Sequence, residues 1–339
     1  MAMDDVSRKV YEEELRPWLP ARILDCHVHV GLAEHCAPIS AERYAAMWPL
    51  EIGCHQTWEQ LKSTYLALFP EQEVSALAFG MCLREVDFDR ENAYVLAGIR
   101  DASNNAKGLY LTRPEWHPSV IEKAMADGFI GIKPYPDLAP QDTSEVSIYD
   151  FLPRTHLSVV NELGGVLVLH VGRAGRLADP DNVREVLEIN DSYPNVKLIV
   201  AHIGRCYSLP SAERCLSQFA DRPGIYFDTA ANLNPDVFEL TLETAGADRL
   251  LFGSDLPVTL MRGVREYQGE AYINYTDGPY SWNTNRKSPE EEQNYTYYIY
   301  EEIRALIDAV RRRGLGKGDV EKILCGNSER LFGAQGVGA

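Results

Sequence analysis

Two histidines one residue apart, His27 and His29, close an apolar run in Asp25-Cys26-His27-Val28-His29-Val30-Gly31. Side chains at i and i+2 of a strand share a face, so both imidazoles point the same way. Two imidazoles at a strand end are a natural start for a divalent-metal site. A lone pair of this kind is equally explained by hydrogen-bonded core histidines, but three more ligand-type residues occupy similar positions. His170 ends VLVLHV, His202 ends LIVAHI and Asp255 ends LLFGSD. Four of the 8 histidines therefore close apolar runs, which random placement would rarely produce. His35, His55, His117 and His156 fall in loops or helices and are not expected to be ligands.

These residues need strands to carry them. Eight short apolar or β-branched runs are present, at 22–30, 74–83, 107–112, 128–134, 165–171, 196–203, 224–230 and 249–256. Their near-continuous apolar character is what parallel strands covered on both faces require. Helical patterns fall between them, for instance at 57–69, 91–105, 181–191 and 236–246. The alternation predicts an α/β fold, a (β/α)8 TIM barrel, in which strand ends form the mouth of the site. No glycine-rich dinucleotide turn, Walker A loop or G-x-S-x-G elbow is present. Ser254, beside Asp255, should face away from the mouth, and Cys26 should alternate to the opposite face of its strand as packing. Long loops follow the first strand (31–56) and the eighth (257–290), the latter rich in aromatics. We expect a single domain over 1–339, with an N-terminal helix at 5–18, the barrel at about 22–256, and a rim insertion plus C-terminal helices at 257–335. The charged stretch 288–313 reads as one helix.

Charge narrows the function classes. The chain has 33 Lys and Arg against 50 Asp and Glu, a formal net charge of −17, the wrong sign for binding nucleic acid by phosphate neutralisation. No apolar run approaches the ~20 residues of a membrane span. The N-terminus lacks the apolar core of a secretory signal, so the expected location is the cytoplasm. Seven scattered cysteines (26, 36, 54, 82, 206, 215, 325) without a CxxC pair fit reduced thiols, and the sequons at Asn274 and Asn294 then have no role.

The ordered blocks DCHVHVG (25–31), LVLHVGR (167–173), LIVAHIGR (198–205) and RLLFGSDLP (249–257), with GNSERLFG (326–333), resemble the amidohydrolase superfamily, in its amidohydrolase-related type 2 branch of metal-dependent TIM-barrel hydrolases. The resemblance spans about 22–333. It implies a metal held by His27, His29, His170 and Asp255, with His202 close by as a second-site ligand or a general acid/base. Three neutral imidazoles and one carboxylate leave a divalent ion net positive with an open position, lowering the pKa of a bound water to near ~7. Asp255 can also accept a proton from that water, and His202 can donate to a leaving group. Zinc is the first expectation for so nitrogen-rich a set, with manganese or iron admitted. Lys133 ends the fourth strand. In binuclear relatives a carbamylated lysine there bridges two metals; we favour one metal, with Lys133 as a positive group facing the substrate.

Arg173, Arg205 and Arg262 follow the ligand-bearing runs, and in so acidic a chain cations gathered at one rim suggest an anionic substrate group. Tyr135 and Asn232, after the fourth and seventh strands, are further candidates for substrate hydrogen bonds. The expected activity is hydrolysis of an amide, ester or lactone of a small carboxylate-bearing molecule. The alternatives are a metal-dependent lyase, decarboxylating or hydrating an unsaturated or aromatic acid, and a metal-stabilised binding module without catalysis. The expected partners are a small anionic substrate and, through the insertion after the eighth run (257–290) or the C-terminal helix, a second copy of the chain.

Overall fold

The segment RILDCHVH is apolar and β-branched enough to be covered on both sides, and it forms β1, Arg22–His29, buried at every position but the first. The computed structural model describes residues 3–47, 49–53, 55–140, 145–278 and 280–333. Further strands follow as β2 (Glu73–Phe79), β3 (Ala106–Gly108), β4 (Tyr110–Leu111), β5 (Gly131–Lys133), β6 (Val166–Leu169), β7 (Lys197–Val200), β8 (Ile225–Asp228) and β9 (Leu250–Leu251). They pair in parallel as two sheets, β1-β2-β3 and β4-β5-β6-β7-β8-β9. The expected run 107–112 is thus divided between β3 and β4 at Leu109, whose N–H donates to Ala78 O at 3.0 Å. Hydrogen bonds also pass from the last strand to the first: Cys26 N–H donates to Phe252 O at 2.8 Å, and Asp255 N–H to His27 O at 2.8 Å.

Helices between the strands start at residues that satisfy their free N–H groups. Thr57 and Gln60 form a reciprocal cap for Trp58–Leu68, Asp87 caps Phe88–Arg100, and Asp179 with Pro180 opens Pro180–Ser192. The apolar side chains divide into layers. Leu24, Leu77, Phe79, Leu111, Val168 and Ile199 form one cluster, which Cys325 and Phe332 of the C-terminal segment join. Ile23, Val28, Leu167, Leu169, Val200 and Phe227 pack instead with helix residues such as Leu61, Val95, Val186 and Ile303.

Several expectations need correction. Cys26 is buried as packing, but the pairing of β1 with β2 shifts register between Asp25 and Val28, and Cys26 falls into the cluster of Leu24 and Phe79, not on the opposite side. The N-terminal helix is shorter than 5–18: Asp5–Val10 continues through one wider turn, Tyr11–Leu15, where Arg16 N–H reaches Tyr11 O. The stretch 288–313 is not continuous. It holds Pro289–Glu292 and then Tyr298–Arg312, because Tyr298 N–H donates to Met261 O at 2.9 Å and its ring enters a cluster with Leu233 and Met261. Within 257–290, Gly263–Gln268 (β10) and Ala271–Thr276 (β11) form an antiparallel hairpin turning at Gly269-Glu270. Residues 334 and 335 of the expected C-terminal segment lie outside the described residues, as does Cys54; the other six cysteines are free thiols. Among the described residues no helix is long and apolar enough to cross a membrane.

Candidate metal centre

β1 presents His27 and His29 to one side, where both rings meet the edge or face of Phe79 at centroid distances of 5.1 and 4.8 Å. The chain after β9 comes against them at Gly253, where a Cβ would stand 2.7 Å from that of His27. Asp255 follows in a left-handed conformation, φ 55°, and its Oδ1 lies 3.3 Å from His29 Nε2 and 3.7 Å from His27 Nε2. Ser254 faces the other way, donating through Oγ to the fully buried Asp25 at 2.5 Å. Asp25 also accepts from Tyr65 OH and His27 N–H, and burial pushes its carboxyl up to about 6.

His170 and His202 come from the ends of β6 and β7. Beyond β7 the backbone makes a left-handed turn in which His202, Ile203, Gly204 and Arg205 have φ of 56°, 50°, 63° and 62°. Left-handed conformation costs a non-glycine residue roughly 1–2 kcal/mol, so specific contacts must hold the turn. Asp228 Oδ1 accepts from His202 N–H at 2.6 Å, and Asn232 Nδ2 donates to Cys206 O at 3.2 Å. Gly204 is required for space as well, since a Cβ would meet that of Leu177 at 2.3 Å. Strain of this kind collects at functional sites.

Hydrogen bonds set which ring nitrogens carry lone pairs. His29 Nδ1 faces Gly80 O at 3.1 Å and His202 Nδ1 faces Ala230 O at 2.9 Å. A carbonyl can only accept, so both Nδ1 atoms are protonated, which leaves each Nε2 as the atom that can offer a lone pair to a metal. His27 Nδ1 is paired with Asp228 Oδ2 at 2.9 Å in the same way, and its buried Nε2 has no hydrogen-bond partner among the described residues. His29 Nε2 therefore faces an oxygen of Asp255, and His202 Nε2 faces His170 Nε2 at 3.0 Å. Burial holds His27, His170 and His202 below the ordinary imidazole range, His27 and His170 far below it. Burial alone would raise the Asp255 carboxyl, yet the imidazoles of His29, His202 and His27 around it hold it below the ordinary carboxylate range.

Electron-rich atoms facing each other at this spacing suit a shared cation. Ligand bonds of ~2.0–2.1 Å at a tetrahedral angle put two ligand atoms roughly 3.3 Å apart. The potential ligands group as His27, His29 and Asp255, and as His27, His170 and His202, with all ligand atoms within 4.8 Å of one another in each set. His27 belongs to both. His202 is thus brought as close to His27 and His170 as ligands are, while Asp228, absent from the expected set, orients His27. Replacing Asp228 by Asn would turn an N–H toward His27 Nδ1 and move the ring proton to Nε2. A chelator competition should then show metal affinity lower by about 10–100-fold.

The cluster forms the floor of a cavity of ≈ 130 Å³, where His29, His170, His202 and Asp255 meet Tyr135, Arg205, Tyr207, Arg265 and Tyr272. A wider groove of ≈ 540 Å³, lined by Glu13, Glu14, Glu301 and Arg304, holds none of the candidate ligands. Of the expected substrate-binding residues, Tyr135 and Arg205 reach the cavity; the Tyr135 ring lies edge-on to His170 at 4.7 Å. The others are engaged elsewhere. Arg173 reaches Glu185 at 3.2 Å, Arg262 reaches Asp4 at 3.2 Å and Asp277 at 3.4 Å, and the fully buried Asn232 braces the turn after β7. Lys133 is fully buried and is not among the residues that line the cavity: its Nζ lies 4.8 Å from the Phe79 ring centre, has no hydrogen-bond partner among the described residues, and is pushed down in pKa by burial. Arg265 and Tyr272, which are outside the expected substrate-binding set, reach the cavity from the hairpin within the rim insertion 257–290. Cys82 also lines the cavity, with burial pushing its thiol up to about 12.

Residues 25–334 match the family Amidohydro_2, described as amidohydrolase. No curated protein matches the chain. Solved structures that resemble it include an amidohydrolase from Burkholderia multivorans with bound zinc, 13% identical with a TM-score of 0.60, covering 93% of this chain and 100% of that one. An Acinetobacter baumannii protein described as a candidate 2-pyrone-4,6-dicarboxylic acid hydrolase is 17% identical, with a TM-score of 0.56 over 92% of this chain and 99% of that one. A 5-carboxyvanillate decarboxylase from Novosphingobium aromaticivorans, complexed with manganese, is 13% identical with a TM-score of 0.57 over 91% and 95%. At such identities the likeness shows the fold. The match over most of its length shows more: the chain belongs to the Amidohydro_2 family of amidohydrolases.

Proposed function

We propose that this protein is a metal-dependent hydrolase that adds water across an amide, ester or lactone of a small carboxylate-bearing molecule. The observation that supports it best is the convergence of four imidazoles and a carboxylate in two overlapping ligand sets at one cavity floor. His27, His29, His170 and Asp255 would hold one divalent ion, with zinc the first choice for a nitrogen-rich set. Such an ion polarises an acyl oxygen and lowers the pKa of water toward ~7. Asp255, held ionised, accepts a proton from the attacking water. His202, held by Ala230 O with Nε2 free, relays a proton to the leaving oxygen or nitrogen. Tyr135 and Arg205 orient the substrate. The protonated thiol of Cys82 leaves the wall without a competing nucleophile.

We also read the two sheets as one (β/α)8 barrel and the chain as a single domain. The hydrogen bonds at Leu109 and between β1 and the chain after β9 support that reading. Metal content, intact mass and product analysis on one preparation test the function. About one metal per chain, an unmodified Lys133 and ¹⁸O from water in a cleaved acyl product are expected; release of carbon dioxide without acyl cleavage would favour a lyase. His202→Asn should keep most of the metal while turnover falls by about 10²–10⁴-fold. Loss of the metal from that variant would make His202 a ligand.

A further inference from the structure

In so acidic a chain an arginine near the site readily finds a carboxylate, as Arg173 and Arg262 do. Three arginines beside the cavity do not. Arg176 lies beyond β6, Arg205 ends the left-handed turn after β7, and Arg265 is on β10; among the described residues none has an ion-pair partner. Acidic residues are at hand on the same hairpin but face other bases: Glu266 reaches Lys287 at 2.6 Å, and Glu270 pairs with Arg214.

The three cations are held, not loosely solvated. The Arg265 guanidinium lies 4.8 Å from the ring centres of both Tyr207 and Tyr272, while Arg176 lies 5.2 and 5.4 Å from the same two rings. Arg265 donates through Nε to Asn274 Oδ1 at 2.9 Å and through Nη1 to Ala231 O at 2.8 Å, and it also lies beside the Tyr267 hydroxyl. Arg176 donates to Arg205 O at 3.3 Å and Tyr272 OH at 3.4 Å. The Arg205 guanidinium donates to no described residue and, like Arg265, lines the cavity. Aromatic faces offset part of the cost of gathering like charges, but Arg205 and Arg265 still line one small cavity with no carboxylate paired to either among the described residues.

We propose that Arg205 and Arg265, backed by Arg176, form an anion subsite for a substrate carboxylate other than the group that reacts. A planar fork matches a carboxylate in two parallel hydrogen bonds, and the tyrosine walls suit a flat, unsaturated body between the two ends. The assignment rests on the hydrolase reading for which end reacts. Within a cavity of ≈ 130 Å³ a single small molecule spans both ends.

Calorimetric titration of the zinc-loaded full-length protein with isophthalate and glutarate, each against its monomethyl ester, tests this. At least one diacid should bind about tenfold or more tighter than its monoester. In Arg205→Gln, whose side chain touches no described residue by hydrogen bond or ion pair, that ratio should fall to within about twofold at unchanged zinc content. The same collapse is expected in Arg265→Gln. A native protein with no diacid preference, or a preference that survives in both variants, overturns the subsite. Displacement of the diacids by an equal concentration of inorganic phosphate overturns its assignment to carboxylate. Binding is read without turnover, so a protein that prefers diacids yet cleaves no acyl bond would sink the hydrolase reading and leave the subsite standing.

Discussion

His27→Ala is expected to purify without stoichiometric metal and to lose turnover by roughly 10³-fold or more. The reason is its place in both ligand sets: deleting it leaves His29 with Asp255, and His170 with His202, as separate pairs. Among the described residues no other ligand-type group joins either set. Lys133 is buried against the Phe79 ring and belongs to neither set, and Asp228 has both oxygens occupied by His27, His202 and Ala230. Because His27 is fully buried, thermal unfolding must be measured alongside elemental analysis. A variant that unfolds at the native temperature, keeps its metal and turns over would remove the basis of the site.

Asp255→Asn separates two roles that alanine would confound. Asparagine tolerates the left-handed backbone found at φ 55°, and its amide oxygen can still face His29 and His27. What it lacks is the negative charge and the capacity to take a proton. Metal affinity should therefore drop while some metal remains at saturating concentration, whereas kcat should fall by about 10³-fold or more even when the site is loaded. Recovery of near-native kcat at high metal would assign Asp255 to ligation alone. Asp255→Ala, which also forfeits the contact with His29, is expected to lose metal and activity together.

The ligand-type residues were legible because each is a polar side chain ending an apolar run, an arrangement that burial penalises unless the groups have work there. Asp228 carries the same mark at the end of IYFD, and reading its strand only as part of the frame hid its hold on His27 and His202. Neighbourhood in sequence misled for the arginines. Arg173 lies three residues past His170, yet helix Pro180–Ser192 brings Glu185 against it, a long-range contact that no local spacing encodes. The hairpin had a local signal, alternating residues on either side of Gly269-Glu270, but its many tyrosines read as a loose aromatic loop. That it lays Arg265 against Tyr207 depends on how the insertion folds back, which composition does not specify.

The left-handed turn after β7 carries a consequence for substrate range. Three steps along such a turn return to nearly the same side, so His202 and Arg205 project together from one strained piece of backbone. On the proposed hydrolase reading, with Arg205 holding the substrate's second group, the spacing between the bond cleaved and the group recognised is then a ruler of fixed length. A shift in preference toward a longer or shorter molecule cannot come from trimming the tyrosine walls alone; it requires redrawing the turn, and with it the packing of Gly204 on Leu177. Evolution of new specificity on this scaffold should therefore proceed by moving the hairpin, whose Arg265 is free of that constraint, before it alters the ruler.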